Sequence, residues 1–380
     1  MKPNLFIGAI SGTSMDALDI ALVDFANDHP NLVATLSYPI PAVFRERCLT
    51  ISQSGQCSID DIGMLDVAAG SLFADAILVL LKEQNLSSNA IRAIGSHGQN
   101  LRHRPDLSPP FTLQIGDPNT IAERTGIPTI ADFRRRDIAA GGQGAPLAPA
   151  FHKEVLGSVE EDRVIINIGG ISNITFLSRD PKKSVTGYDT GPGNCLMDAW
   201  VQKHLNIPFD KDAEFARQGT PNNALLDALL KDRYFDLEPP KSTGREYFNL
   251  DWLQQKMQLV HIELGSAITA ADIQATLLKL TSRVIKDGIR KFKAEAASVF
   301  VCGGGAHNAL LIDTLSQDLK SKVQSTEILG VHPDWVEAML FAWLAKQTLE
   351  GKAGNFPTVT GARNAVILGG IFGFRPEIIR

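Results

Sequence analysis

Cysteine is scarce in this chain and scattered. Cys48, Cys57, Cys195 and Cys302 are the only four in 380 residues. No two of them form a C-x-x-C pair, so a disulfide framework is excluded and the thiols read as reduced. His97 and His103 have no third ligand at a convincing spacing, so no structural zinc is expected. No unbroken run of about 18 apolar residues is present, and no membrane span is expected. The briefly apolar start, Met1 to Ile10, meets Asp16 and Asp19 at once, which is not the pattern of a secretory leader. An excess of basic charge is also missing: 37 Lys and Arg face 42 Asp and Glu, a net charge of −5. That argues against a nucleic-acid surface. It leaves phosphate binding open, because backbone N–H groups can hold phosphates locally. Finally, no G-x-G-x-x-G follows a strand, which argues against a dinucleotide-binding dehydrogenase. Pro240-Lys241-Ser242-Thr243 copies only the end of a Walker A motif, with Phe235 and Pro240 where its glycines belong.

What is present is an ordinary globular composition, 44% apolar and 21% charged. At this length two domains are expected. Each half opens in the same way. Leu5–Ile10 is an apolar run, Ser11-Gly12-Thr13-Ser14 is turn chemistry, and Asp19–Phe25 resumes the apolar pattern. In the second half Arg163–Asn167 leads through Gly169-Gly170 to Asn173–Leu177. Two such hairpins suggest a duplicated α/β architecture with a cleft between the halves. Helical spacing marks Ile62–Gln84, Asp272–Phe292 and Trp335–Leu349. The Gly-rich, basic stretch Asp132–Pro149 reads as a linker or a site loop, and the domain boundary is placed there. The N-terminal domain is expected over residues 1–135, completed by 355–380 from the C-terminal end, and the C-terminal domain over 136–354.

Three Gly-rich turns follow apolar strands and suit phosphate contact: Gly12 to Asp16, Gly169-Gly170, and Gly303-Gly304-Gly305 before a helix. The first also reads as a plain polar hairpin turn, and the third as a tight strand-to-helix connection. Asp16 or Asp19 suits Mg²⁺ as a hard oxygen ligand. Gly187-Tyr188-Asp189-Thr190-Gly191-Pro192-Gly193-Asn194 reads as an irregular loop before a helix that starts near Cys195. In it Asp189 is a general base, or the stretch is a helix-capping turn. A sugar site is expected among His97, Gln99, Gln114, Asp117, Asp132 and Arg134, polar residues that follow apolar runs. Arg134 would suit a carboxylate.

Taken together, these blocks resemble the bacterial anhydro-N-acetylmuramic acid kinases. The resemblance runs through Ile7-Gly8-x-x-Ser11-Gly12-Thr13-Ser14-Met15-Asp16, Gln114-Ile115-Gly116-Asp117, Asp132-Phe133-Arg134, Asn167-Ile168-Gly169-Gly170-Ile171-Ser172-Asn173 and Asp189–Asn194. It continues through Lys241-Ser242-Thr243-Gly244-Arg245-Glu246, Gly303–Asn308 and Pro357–Ala362, from about residue 5 to about residue 370. Ala17 stands where the family usually has glycine.

The resemblance implies a two-domain actin-like ATPase (ribonuclease H-like) fold with the nucleotide cleft between the domains. It implies ATP and Mg²⁺ as cofactors, a cytoplasmic homodimer, and 1,6-anhydro-N-acetylmuramic acid as substrate. The products would be N-acetylmuramic acid 6-phosphate and ADP, in cell-wall recycling. It maps the ATP-binding segment onto Gly12, Thr13, Ser14, Met15, Asp16, Ala17, Leu18 and Asp19, with Asp16 nearest the metal, and the catalytic aspartate onto Asp189. An actin- or chaperone-like ATPase switch, or another carbohydrate kinase, would share the fold.

Overall fold

The computed structural model describes residues 4–12, 15–27, 29–264, 268–294 and 297–373. The chain divides into two compact units. Unit 1 is Met1–Val155 with Trp335–Arg380, and unit 2 is Leu156–Asp334.

Unit 1 is built on β1 (Leu5–Ser11), β2 (Ala17–Asp24), β3 (Asn31–Pro39), β4 (Ile91–Ser96) and β7 (Thr129–Ala131), with a separate hairpin of β5 (Gln99–Arg104) and β6 (Phe111–Ile115). β1, β2 and β3 form an antiparallel meander, while β4 and β7 continue the sheet parallel to β1. β1 is apolar on both faces because both are covered: Phe6 and Ile7 are both buried. On one side the helix Ile59–Glu83 presents Phe73, Ile77 and Leu80 to the core with Ile7, Ile20 and Ile94. On the other the helix Val336–Leu349 lies directly on the strands. Gly8 and Gly95 are register partners on β1 and β4. A Cβ at Gly8 would come within 1.8 Å of the Ala338 carbonyl oxygen, and one at Gly95 within 1.9 Å of that of Phe341. Only a missing side chain in both strands lets the helix backbone sit this close.

Unit 2 repeats the plan with β8 (Arg163–Ile168), β9 (Ile171–Leu177), β10 (Thr186–Pro192), β11 (Ser298–Cys302) and β12 (Val323–Ser325), in the order β10-β9-β8-β11-β12. Its meander is antiparallel, and β11 and β12 run parallel to β8. The helix Ala270–Lys291, started by a Thr269/Asp272 capping box, packs Val284, Ile285 and Ile289 into the core around Ile174 and Tyr188. The last strand, β13 (Gly370–Phe372), returns to unit 1 antiparallel to β7. Each unit thus has three meander strands followed by two parallel ones. This is the ribonuclease H-like order, used twice, of an actin-like ATPase.

The unit boundaries differ from the sequence expectation of 135/136 and 354/355. Residue 135 falls inside the helix Phe133–Ala139, and the Gly141–Gly144 stretch is tied into unit 1. Asp137, fully buried, accepts from the Gly144 N–H, Asn355 Nδ2 and Thr360 Oγ1 at 2.7, 2.6 and 2.8 Å. The helix Val336–Leu349 belongs to unit 1 because it is the cover of β1 and β4. Of the expected 355–380 completion, residues 374–380 lie outside the described residues. The helix Ile59–Glu83 holds no unbroken apolar run of about 18 residues, since Asp66 and Asp75 interrupt it. It is long and apolar enough to cross a membrane by length and composition alone, and half of its most apolar stretch is buried inside unit 1.

Candidate active site

In parallel sheets ligands collect beyond the carboxyl ends of the strands. In unit 1 those ends are Ser11 of β1, Ser96 of β4 and Ala131 of β7. Three of the six expected sugar-site residues gather there. His97 follows β4, and its N–H donates to the Ala9 carbonyl. Gln99 accepts from Ser11 Oγ, which joins this cluster to the β1–β2 turn. Arg134 Nε donates to His97 Nε2 at 2.9 Å, and its Nη1 donates to the Gly144 carbonyl. A guanidinium only donates, so His97 Nε2 carries no proton. Its proton sits on Nδ1 and goes to the Gly98 carbonyl, 3.0 Å away. Burial, then the Arg134 charge, holds His97 well below its ordinary pKa. A neutral His97 therefore orients Arg134.

The other residues have local work. Gln114 Nε2 donates to Asn100 Oδ1 and Thr112 Oγ1 across the β5–β6 hairpin. Asp117 caps the helix Pro118–Thr125, accepting from the Asn119 and Thr120 N–H groups and from the Thr120 hydroxyl. Asp132 pairs with Arg135 at 3.0 Å. His103 is buried, with its Nδ1 3.2 Å from the Thr112 hydroxyl.

In the β1–β2 turn the Met15 N–H closes onto the Gly12 carbonyl, and the half-exposed Asp16 pairs with Arg45 at 3.0 Å. Ala17, Leu18 and Asp19 begin β2. Leu18 is in the core, so only its backbone is available to a ligand. Thr13 and Ser14 lie outside the described residues.

Unit 2 brings together the rest. Gly169-Gly170 turns β8 into β9, and the Asn194 N–H donates to the Gly169 carbonyl, the Gly193 and Cys195 N–H groups to that of Gly170. Gly303, at φ +78°, follows β11, and a Cβ there would come within 2.4 Å of Asn167 Oδ1. Gly304 and Gly305 open the short turn that follows, and a Cβ at Gly305 would strike Ile168. The two glycine turns are thus neighbours at one sheet edge. Cys302, Asn167, Asn173 and Asp189 are register partners in a row across β11, β8, β9 and β10. Register partners point to the same face. Asp189 therefore stands on the face of Asn167 and Asn173, two strand spacings or about 10 Å from Asn167.

Asp189 is on a strand, not on the irregular loop expected. β10 runs through Pro192, with its register broken by a bulge between Asp189 and Gly191. Glycine and proline, read as loop residues, serve the bulge and the strand end. Asp189 is 7% exposed. Its Oδ2 accepts from the Thr243 N–H at 3.1 Å, its own N–H donates to the Lys241 carbonyl, and its carbonyl accepts from the Tyr234 hydroxyl at 2.6 Å. Sequence reasoning missed these partners. Lys241–Glu246 stood out as a block, but nothing local shows that it meets a strand some fifty residues earlier. Among the described residues no group of three or more His, Cys, Asp or Glu is placed to hold a metal ion.

Two solved structures that resemble this chain are distant from it in sequence. Component A of the (R)-2-hydroxyglutaryl-CoA dehydratase of Acidaminococcus fermentans is 12% identical with a TM-score of 0.47, covering 89% of this chain and 95% of that one. A ROK family glucokinase from Streptomyces griseus, in complex with glucose and AMPPNP, is 12% identical with a TM-score of 0.39, covering 90% and 99%. The sequence relatives are near. The anhydro-N-acetylmuramic acid kinase of Coxiella burnetii (strain Dugway 5J108-111) is 52% identical over 373 residues, 98% of both chains. That of Saccharophagus degradans is 48% identical over 376 residues, 98% of this chain and all of the relative. The family's sequence profile matches residues 4–374. With half of its residues shared along essentially its whole length, the chain belongs to the anhydro-N-acetylmuramic acid kinase family.

Proposed function

We propose that this chain uses ATP to convert 1,6-anhydro-N-acetylmuramic acid to N-acetylmuramic acid 6-phosphate and ADP. Water attacks C1 of the sugar and loses a proton to Asp189, the C1–O6 bond breaks, and O6 takes the γ-phosphoryl group as its bond to ADP breaks. Inverting glycoside cleavage normally needs a base for the water and an acid for the leaving oxygen. Here the leaving O6 is capped by phosphorus, so one carboxylate is enough. The observation that carries this reading is the row across unit 2. The buried Asp189 is in register with Asn173 and Asn167 on one sheet face, and the glycine turns 169–170 and 303–305 follow β8 and β11 of that same row.

The phosphates are assigned to Gly169, Gly170 and Gly303–Gly305 and to the Gly12–Asp19 turn. Their backbone N–H groups and glycine surfaces accept anionic oxygens. The sugar is assigned to His97, Gln99, Gln114 and Arg134. In that reading the guanidinium of Arg134, held by neutral His97, meets the lactyl carboxylate. Asp117 and Asp132 would contribute only by giving up their present partners. Mg²⁺, when bound, would neutralise phosphate charge. A single carboxylate, Asp16, fits that ion, which is commonly held by one or two carboxylates, substrate phosphates and water. A cytoplasmic setting is part of the same proposal, supported by ATP as substrate and by four free thiols, and the homodimer is carried by the family resemblance alone.

Steady-state ADP release tests the reading against an ATPase switch. ADP should form at a substantial rate only when 1,6-anhydro-N-acetylmuramic acid is present, in one-to-one ratio with sugar phosphate. Equal ADP release without the sugar would overturn it.

A further inference from the structure

The block Lys241-Ser242-Thr243 is absorbed neither by phosphate binding nor by the sugar site, and its partner is Asp189. Three hydrogen bonds converge there. The Thr243 N–H reaches the carboxylate, the Lys241 carbonyl takes the aspartate's N–H, and the Tyr234 hydroxyl reaches its carbonyl. They hold Asp189 at the bulge, where the β9–β10 register is broken and the strand ladder fixes the backbone least.

The segment that supplies them is itself closed. Lys241 Nζ is buried, donates to the Tyr234 carbonyl at 2.9 Å and lies over the Tyr234 and Tyr188 rings, 4.5 and 5.4 Å from their centroids. At the other end Asp232 accepts from the Tyr234 N–H, Tyr247 hydroxyl, Trp252 Nε1 and Lys256 Nζ. Both ends of the segment are therefore anchored on one buried carboxylate. We propose that residues 232–247 form a strap whose work is to aim the Asp189 carboxylate, with Tyr234 and Lys241 as its positioning residues.

The chemistry of each group fits. Burial foremost, then the Asp189 charge, keeps the Tyr234 hydroxyl protonated and so a donor. Burial lowers Lys241 to about 8, with Lys291 acting in the same direction, while Glu238, Asp236 and Asp189 oppose the fall. At neutral pH Lys241 is thus predominantly an ammonium, able to donate to the Tyr234 carbonyl. A base that is misaimed by an ångström loses rate without losing substrate.

The proposal rests on Asp189 being the base, and a double-mutant cycle separates the two claims. Tyr234→Phe removes one hydroxyl and should lower kcat about tenfold, with KM for ATP and for the anhydro sugar changed less than twofold. Lys241→Met, which keeps the length of the stem, should act in the same direction. Placed on Asp189→Asn, either change should cost less than twofold, because there is no base left to aim. Thermal melts with ATP confirm that each variant is folded under assay conditions. Tyr234→Phe and Lys241→Met variants that turn over like the parent overturn the strap. So does a tenfold loss repeated in full on Asp189→Asn, which marks a general structural role. Near-parental activity of Asp189→Asn alone overturns the base, and the strap with it.

Discussion

Replacing Asp189 by asparagine is expected to lower kcat by roughly 10²–10⁴-fold, the range typical of a lost general base. The side chain keeps its size and can still accept from the Thr243 N–H, and its backbone bonds to Tyr234 and Lys241 are untouched. Folding and ATP affinity should therefore be preserved, and the loss should fall on kcat. Other carboxylates are poorer candidates. Asp16 is half-exposed and paired with Arg45, and Asp198 lies inside the helix that begins at Cys195. In the proposed reaction water attack at C1 and phosphoryl capture by O6 belong to one event, so ADP formation and ring opening should fall by the same factor. The check is a parallel assay of ADP and of opened sugar. An Asp189→Asn variant with parental turnover would remove the assignment. Loss of ring opening alone would remove the coupling.

A second large effect concerns acid. His97, His103 and His152 are all buried in unit 1, and burial is the first cause that lowers each of them. His103 and His152 fall to about 3, and His97 lies well below the ordinary value, helped like His103 by the charge of Arg134. In the unfolded chain each would take up its proton near the ordinary 6.5. As pH falls below 6.5 the unfolded state gains protons that the folded state refuses, so stability is lost progressively from 6.5 down toward 3. His103 and His152 each contribute about 2 kcal/mol of this loss by pH 5, and His97 adds to it in the same direction. Carboxylates titrate mostly lower and leave the window between pH 6.5 and 5 to the histidines. Denaturant titrations should show unfolding linked to a proton uptake that grows from pH 6.5 toward pH 5, where His103 and His152 alone account for about two protons, and His152→Met should reduce the number at pH 5 by about one. A stability that is flat from pH 6.5 to 5 would contradict the neutral, buried state of these rings.

The fold was largely legible because its signals are local. Apolar runs interrupted by Ser-Gly and Gly-Gly turns marked both hairpins, and β1–β2 and β8–β9 stand where those runs predict. Helical periodicity placed the three long helices to within a few residues. What stayed hidden depends on contacts between distant parts of the chain. The Gly141–Gly144 stretch has the composition of a linker, yet the buried Asp137 binds it to Asn355 and Thr360, more than two hundred residues on. Gly191 and Pro192 have the composition of a loop, yet a bulge and a strand end accommodate both. The clasp on Asp189 is made largely through backbone groups of Lys241 and Thr243, which no side-chain pattern reveals. For the cluster proposed to take the sugar, sequence order singled out His97, Gln99 and Arg134 as candidates, but the proton on His97 Nδ1 that lets it hold Arg134 follows only from geometry.

The most direct test of the coupled reaction is to follow the water. The enzyme is run with ATP and 1,6-anhydro-N-acetylmuramic acid in ¹⁸O-water and quenched before the free anomeric hydroxyl exchanges, and the sugar phosphate is analysed by mass. Attack of an Asp189-activated water at C1 predicts one ¹⁸O on C1 in every product molecule and none in the phosphoryl group. Label in the phosphoryl group, or a sugar phosphate that carries no label at all, would contradict it.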